Sequence, residues 1–157
     1  MMSRIFCALC LLCFSFLSYG QSAVLYPTAI PDSEQEQRAL MQQLLAMPEA
    51  ERSQQQWRQL VIVSISLIGN ADTPQAKEIE AVLLQARAIY PQDAEIMAAQ
   101  GTLFCIQAGS RNIHGMQAMT LANKGFRQLD RAVTMAPEQL GPRLQRAITA
   151  SRAPVFL

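Results

Sequence analysis

The chain has 157 residues, of which half are hydrophobic and 16% are charged, and this length suits one domain with a single hydrophobic core. The net charge of +1 hides an asymmetry: residues 21–100 carry ten acidic and five basic side chains, whereas residues 101–157 carry two acidic and seven basic ones. The basic part has neither interleaved aromatic residues nor a recognised nucleic-acid motif, so nucleic acid is excluded as the expected partner.

Residues 1–20 have the layout of a secretory signal peptide. The short basic start MMSR precedes the apolar run IFCALCLLCFSFL, and the small residues Ser18 and Gly20 occupy the −3 and −1 positions of a cleavage site. The apolar run is shorter than the roughly 20 residues of a membrane-spanning helix. We therefore expect cleavage and export, to the periplasm of a bacterium. An uncleaved segment anchored in the inner membrane is the alternative.

The cysteines bear on both lipidation and disulfide bonding. Cys7, Cys10 and Cys13 lie inside the apolar run and not behind small residues at its end, which disfavours lipidation. Removal of the signal peptide leaves Cys105 as the only cysteine, so an intramolecular disulfide is excluded. The apolar surroundings GTLFCIQA predict that Cys105 is a buried small hydrophobe and not a reactive thiol.

The mature chain opens with an extended lead-in, residues 21–31, which contains two prolines. A capping box, Ser33 to Glu36, then predicts helix 1 up to about Met47, where Pro48 ends it. Helix 2 is predicted from near Glu49 and carries Trp57. Its second half, LVIVSISLI, is rich enough in β-branched residues to suit a buried strand. We favour a helix, because no other segment offers a strand partner.

Four more helices follow at short intervals. Thr73-Pro74 is typical of a helix start, Asp93 can cap a helix, and Pro91 and Pro137 mark junctions. The predicted spans are Thr73 to Tyr90, Ala94 to about Ala108, roughly Met116 to Met135, and about Leu140 to Arg152. The sequence thus predicts a single all-α domain over residues 32–157, with about six helices.

Two parts of the chain repeat one pattern. Ala86 stands five residues before Pro91, with Gly101 and Phe104 beyond it, while Ala132 stands five residues before Pro137, with Ala147 beyond it. Small residues permit close helix crossings, and the prolines turn the chain into the next hairpin. With the further match Trp57-x2-Leu60, residues 54–150 resemble the tetratricopeptide repeat. The two prolines are 46 residues apart, against roughly 34 in that family. About twelve extra residues around 109–121 would lengthen a helix or form a loop.

The resemblance implies stacked antiparallel hairpins that hold a peptide or partner protein in a groove. The first helix of each hairpin lines that groove, which here means helices 2 and 4, with helix 6 as a candidate third. The candidate partner-binding residues are polar side chains on helices 2 and 4: Gln55, Arg58, Gln59, Gln100 and Gln107. An irregular helical bundle is the alternative, because it follows the same packing rules.

Helix 6 has no partner helix after it in this sequence. Either Leu144 and Ile148 pack back onto helix 5, or an apolar surface remains for a partner. The second interpretation includes the C-terminal side chains Val155, Phe156 and Leu157, which we expect to mediate homodimerisation or docking.

The sequence carries no motif of known chemistry. His114 is the only histidine and lies in a turn-like stretch, so a protein-only zinc site would need an unusual carboxylate-rich ligand set. Dinucleotide, phosphate-binding and nucleophile-elbow motifs are absent from the sequence. We therefore expect no cofactor and no catalysis, and we predict a protein-interaction adaptor of the cell envelope. A structural subunit of a larger envelope or transport complex is the alternative, and an enzyme with a scattered active site is a third class.

Overall fold

A computed structural model describes residues 24–69 and 71–152. It contains six α-helices and a short 3₁₀ turn, Glu49–Glu51. The helices are α1 (Glu34–Ala46), α2 (Gln54–Leu67), α3 (Pro74–Ile89), α4 (Ala94–Ala108), α5 (Gly115–Met135) and α6 (Leu140–Arg152). The described residues form no β-strand, so the prediction of an all-α chain is confirmed. The predicted signal peptide and the terminal residues Val155, Phe156 and Leu157 lie outside the described residues.

The segment with two interpretations, residues 60–68, is helical up to Leu67. Leu60 and Val61 in this segment are fully buried, as is Trp57 about one turn earlier in the same helix. The predicted start near Glu49 is wrong, because α2 begins at Gln54 behind its own capping box. The Ser53 hydroxyl accepts from the Gln56 amide at 3.3 Å, and Gln56 Oε1 accepts from the Ser53 amide at 2.9 Å. These bonds satisfy two amides at the helix start and fix its position.

Arg52 joins the end of α1 to the start of α2. Its guanidinium is 8% exposed and donates to the carbonyls of Leu44 at 2.8 Å and Met47 at 2.7 Å. The last carbonyls of a helix have no partner within it, and this side chain supplies one. The guanidinium carbon also lies 4.8 Å from the centre of the Trp57 ring. Arg52 therefore links the carbonyl groups at the end of α1 to the buried ring of Trp57.

Helix α4 is the centre of the molecule. It contacts α2, α3, α5 and α6, and further contacts join α1 to α2, α2 to α3, and α5 to α6. Within the described ranges, α1, α3 and α5 do not contact one another. The first half of α4 is therefore buried on every side, as expected of a helix whose faces are all apolar. Two apolar clusters meet at α4, one shared with α1, α2 and α3 and the other with α5.

Small residues set the closest helix crossing, between α4 and α5. A Cβ added at Gly125 would lie 2.5 Å from Cys105 Sγ and 2.6 Å from the Gly101 carbonyl oxygen. Ala86 and Ala132 are both fully buried. Ala147, by contrast, is exposed, because the described residues provide no helix beyond α6 for it to contact. Leu144 and Ile148 remain 50% and 42% exposed, which favours the second of the two alternatives, an apolar surface that stays uncovered.

No helix in the described ranges combines the length and the hydropathy that a bilayer-spanning segment needs.

We predict that Gly125→Ala destabilises the chain. The added methyl group meets backbone, which no rotamer change relieves, so overpacking of roughly 1–3 kcal/mol outweighs a helix-propensity gain of up to about 1 kcal/mol. Chemical denaturation should show a net loss of about 1–2 kcal/mol. Gly69→Ala is the matched control, because nothing lies within 4 Å of its added Cβ. Equal stabilities of the two variants would contradict the close crossing.

Candidate functional site

The described part of the lead-in, Val24–Pro31, lies extended across α2, α4 and α6. The Leu25 amide donates to the Glu138 carbonyl at 2.9 Å, and the Leu140 amide donates to the Leu25 carbonyl at 2.9 Å. These two bonds make an isolated parallel β-bridge between Leu25 and Gln139. Pro27 and Pro31 favour the extended form, since a residue before proline is biased away from helical backbone.

The rest of the lead-in is bound mainly through its backbone. The Thr28 amide donates to Glu95 Oε1 at 2.9 Å, and the Thr28 hydroxyl donates to Glu95 Oε2. Gln59 on α2 donates to the Ala29 carbonyl at 3.3 Å, and Gln37 on α1 donates to the Pro31 carbonyl at 2.7 Å. The side chains of Val24, Leu25 and Tyr26 stay largely exposed. The segment therefore binds the helices as an extended peptide ligand would, through its backbone and with several side chains left exposed.

Glu95 is the central residue of this site, and it is only 3% exposed. It occupies the second position of α4, where the free amides of a helix start favour negative charge. Arg58 Nε on α2 lies 4.0 Å from Glu95 Oε2. Gly141 on α6 lies so close that a Cβ there would overlap the Glu95 carboxylate. Helices α2, α4 and α6 therefore all converge on this one carboxylate.

Asp93 is the second carboxylate of this site, and it binds both the start of α4 and the Arg58 guanidinium. Its Oδ1 caps α4 by accepting from the Glu95 amide at 3.0 Å and the Ile96 amide at 3.1 Å. Its Oδ2 accepts from Arg58 Nε at 2.7 Å and from Gln54 Nε2 at 2.6 Å. Two buried carboxylates thus face one guanidinium, whose side chain is 25% exposed. The net charge of these three side chains is therefore negative.

The partner-binding residues predicted from the sequence do not lie together in one place. Arg58 and Gln59 lie at the lead-in, and Gln55 lies exposed one helical turn before Gln59 on α2. Gln100 instead accepts from Arg87 Nε at 3.2 Å, and burial lowers the pKa of that guanidinium. Gln107 is half-buried near the end of α4.

Sequence reasoning missed Thr28, Glu95 and Gly141. One signal was available for Glu95, because a carboxylate two residues beyond a helix cap in the apolar run AEIMAA has to find buried partners. No local signal points to Thr28 or Gly141, since their roles depend on contacts with residues distant in the sequence.

Outside this site, the described residues offer no cluster of three His, Cys, Asp or Glu side chains that could hold a metal. Two open depressions, of about 340 and 440 Å³, lie elsewhere. The smaller is lined by Ile113 and Met116 and the larger by Asp32 and Ser66, among others. Neither is lined by Glu95 or Arg58.

Comparison with protein-family models, with curated proteins and with solved structures gives no match.

We predict that Arg58→Gln destabilises the chain by about 1–3 kcal/mol, because it leaves two buried carboxylates without a counter-charge. This expected loss of stability is smaller than that for breaking a fully buried ion pair, because the Arg58 side chain is partly exposed. Arg38→Gln is the matched control, because the Arg38–Glu34 pair is exposed and such pairs contribute roughly 1 kcal/mol or less. Denaturation at neutral pH measures both. If Arg58→Gln lowers the free energy of unfolding no more than Arg38→Gln does, the charge arrangement around Asp93 and Glu95 is contradicted.

Burial raises the pKa of the Cys105 thiol to about 11. We therefore predict that, at pH 8, native Cys105 is alkylated at least about 100-fold more slowly than the unfolded chain, whose thiol has a pKa near 8.5. Because the folded state holds this proton more tightly, the stabilisation is complete below about pH 8.5 and is lost as the pH rises towards 11. Mass spectrometry of the Cys105 peptide measures the rate. Equal alkylation rates of Cys105 with and without denaturant would show that folding does not raise the pKa of its thiol.

Proposed function

We propose that the chain is a non-catalytic adaptor that binds an extended segment of a partner protein across α2, α4 and α6. The observation that carries the proposal is the lead-in itself. It lies extended on this face and is held by Glu95, by Gln59 and by backbone of the α5–α6 junction. A surface that accepts an extended segment of its own chain has the donors and acceptors to accept another.

The helix contacts support a stack of the tetratricopeptide type. The even-numbered helices contact one another in series, whereas α1, α3 and α5 flank them without mutual contact in the described part of the chain. Ala86, Gly101 and Ala132 are buried, as close crossings in such a stack require. The twelve or so residues beyond the family's repeat length fall in the 109–114 connection and in α5, which has 21 residues against 16 in α3. The groove of this stack is the face that the lead-in covers.

The proposed location is the cell envelope, after export. This part of the proposal is supported by the basic start, apolar run and small residues of positions 1–20. A mature chain with a single half-buried cysteine is compatible with an oxidising compartment, because it has no second thiol to pair with. An uncleaved, membrane-anchored form is the alternative.

A second candidate function, an assembly subunit, is favoured by α6. Its Leu144, Ala147 and Ile148 form an exposed apolar strip on the last described helix. In a larger complex this strip would be covered by another subunit, in the way that Gly101 of α4 is covered by α5. The predicted docking residues Val155, Phe156 and Leu157 follow directly after this helix in the sequence.

Site-specific photo-crosslinking in the native envelope separates the two functions. A photoreactive residue at Gln55, exposed one helical turn before Gln59, is expected to trap a partner protein, whereas one at Leu84, exposed on α3, is the control. Crosslinks from Ile148 alone would favour the assembly subunit. The adaptor proposal fails if Gln55 captures no more protein than Leu84 does.

A further inference from the structure

We propose that the lead-in is an internal ligand that occupies the partner's place. The partner segment that displaces it is extended, uncharged and carries a Ser or Thr hydroxyl that binds Glu95. This inference rests on the proposed adaptor function, and it adds both the chemistry of the partner and a built-in competitor for the site.

Most contacts of the lead-in are of a kind that any extended peptide can supply. The Leu25 amide and carbonyl, the Thr28 amide and the carbonyls of Ala29 and Pro31 are all backbone groups. Among residues 24–31, which the structure describes, the one side-chain hydrogen bond to the helices is made by the Thr28 hydroxyl. Side-chain selectivity is therefore concentrated at this position.

Several features make that position selective for a hydroxyl. The Thr28 side chain is buried beside Glu95, and the backbone of Gly141 packs directly against the same carboxylate. A valine would fill the same volume but would leave Glu95 Oε2 without its close donor, and a buried unpaired charge is costly. A carboxylate would be repelled by Asp93 and Glu95 together. Ser and Thr supply a short donor with no charge.

The charge of the surroundings extends this selectivity to the whole segment. The sequence VLYPTAIP of residues 24–31 contains no ionisable side chain apart from the tyrosine. The site beneath it holds two carboxylates and one guanidinium. An acidic segment would meet net negative charge in a partly desolvated place, so the partner segment is neutral, as the lead-in is.

The lead-in can leave without unfolding the helices. Val24, Leu25 and Tyr26 are 56%, 49% and 84% exposed, so the segment buries little apolar surface. It is attached mainly by hydrogen bonds, each of modest net strength. Segments with few buried apolar contacts open at a small fraction of the global unfolding free energy. The helical body therefore persists when the lead-in detaches.

The occupant is a different protein and not a second copy of this chain. A second copy would offer the same segment, yet the tethered segment competes at a high effective concentration, which for a short tether is of millimolar order. An identical free segment has no advantage with which to overcome that concentration. A partner with further contacts, for example around the exposed Tyr26, does have one.

Fluorescence anisotropy with the peptide VLYPTAIP tests the proposal on the full chain. Thr28→Val removes the hydroxyl of the lead-in but keeps its shape and backbone. Thr120→Val is the matched control, because Thr120 is exposed on α5 and its hydroxyl bonds only to the Met116 carbonyl within its own helix. Since a hydrogen bond to a charged group is worth roughly a factor of ten or more, the Thr28→Val chain should bind the peptide at least tenfold more tightly than the native and Thr120→Val chains.

Two further measurements complete the test. The peptide VLYPVAIP, which lacks the hydroxyl, should bind the Thr28→Val chain at least tenfold more weakly than VLYPTAIP does. Leu25→Pro removes the amide that donates to Glu138 at an exposed position, so it should also raise the affinity for VLYPTAIP. This second variant provides a result even if Thr28→Val disturbs the fold, which circular dichroism reports.

The remaining outcomes overturn the inference in distinguishable ways. Equal affinity of native and variant chains for VLYPTAIP would show an open groove, and the adaptor function would stand without an internal competitor. Crosslinks from Gln55 with no peptide binding would retain the adaptor and reject the hydroxyl-bearing ligand. Absence of both would reject both proposals. A native dimer that Thr28→Val converts to a monomer in light scattering would make a second copy the occupant.

Discussion

The buried carboxylate of Glu95 is the constraint on which the arrangement of this molecule depends. A charge that is 3% exposed has to be matched by donors and by a nearby positive group, or the folded state loses several kcal/mol. The donors come from Thr28 in the lead-in, and the positive group comes from Arg58 on α2. Glycine at position 141 lets α6 close over the same carboxylate. One residue therefore fixes the relative positions of three helices and a segment 67 residues away.

The helices were predictable because their signals are local. Proline after α3, Asp93 before α4 and the capping residues Ser33 and Thr73 act within one turn of the residues they affect. The start of α2 was misplaced because two starts compete there, and the Ser53–Gln56 capping box prevails over the acidic residues after Pro48. Gly101 could also be assigned to a close crossing, because the repeated pattern places a small residue ten positions after Pro91.

The site was only half predictable. Arg58 and Gln59 follow from the expectation that polar residues on α2 face a groove. The course of the lead-in does not follow, because a proline-rich extended segment has no periodicity that shows where it binds. Its position depends on Glu95 and on backbone at 138–140, and a single sequence does not reveal such distant pairs. The tetratricopeptide resemblance also leads away from it, because that pattern implies a groove that holds a separate peptide or partner protein and not a segment of the same chain.

The bridge between Leu25 and Gln139 has a consequence for the order of folding. The helices of the body contact neighbours close in the chain, so they can assemble progressively as synthesis proceeds. The start of the lead-in differs, because the backbone at Glu138 and Leu140 that anchors Leu25 is synthesised more than a hundred residues later. It is therefore the first part of the described chain to leave the ribosome, yet Leu25 can dock only after residues 138–140 have been made. Throughout that interval, Leu25 lacks its backbone partners and the start of the described chain stays accessible to other proteins.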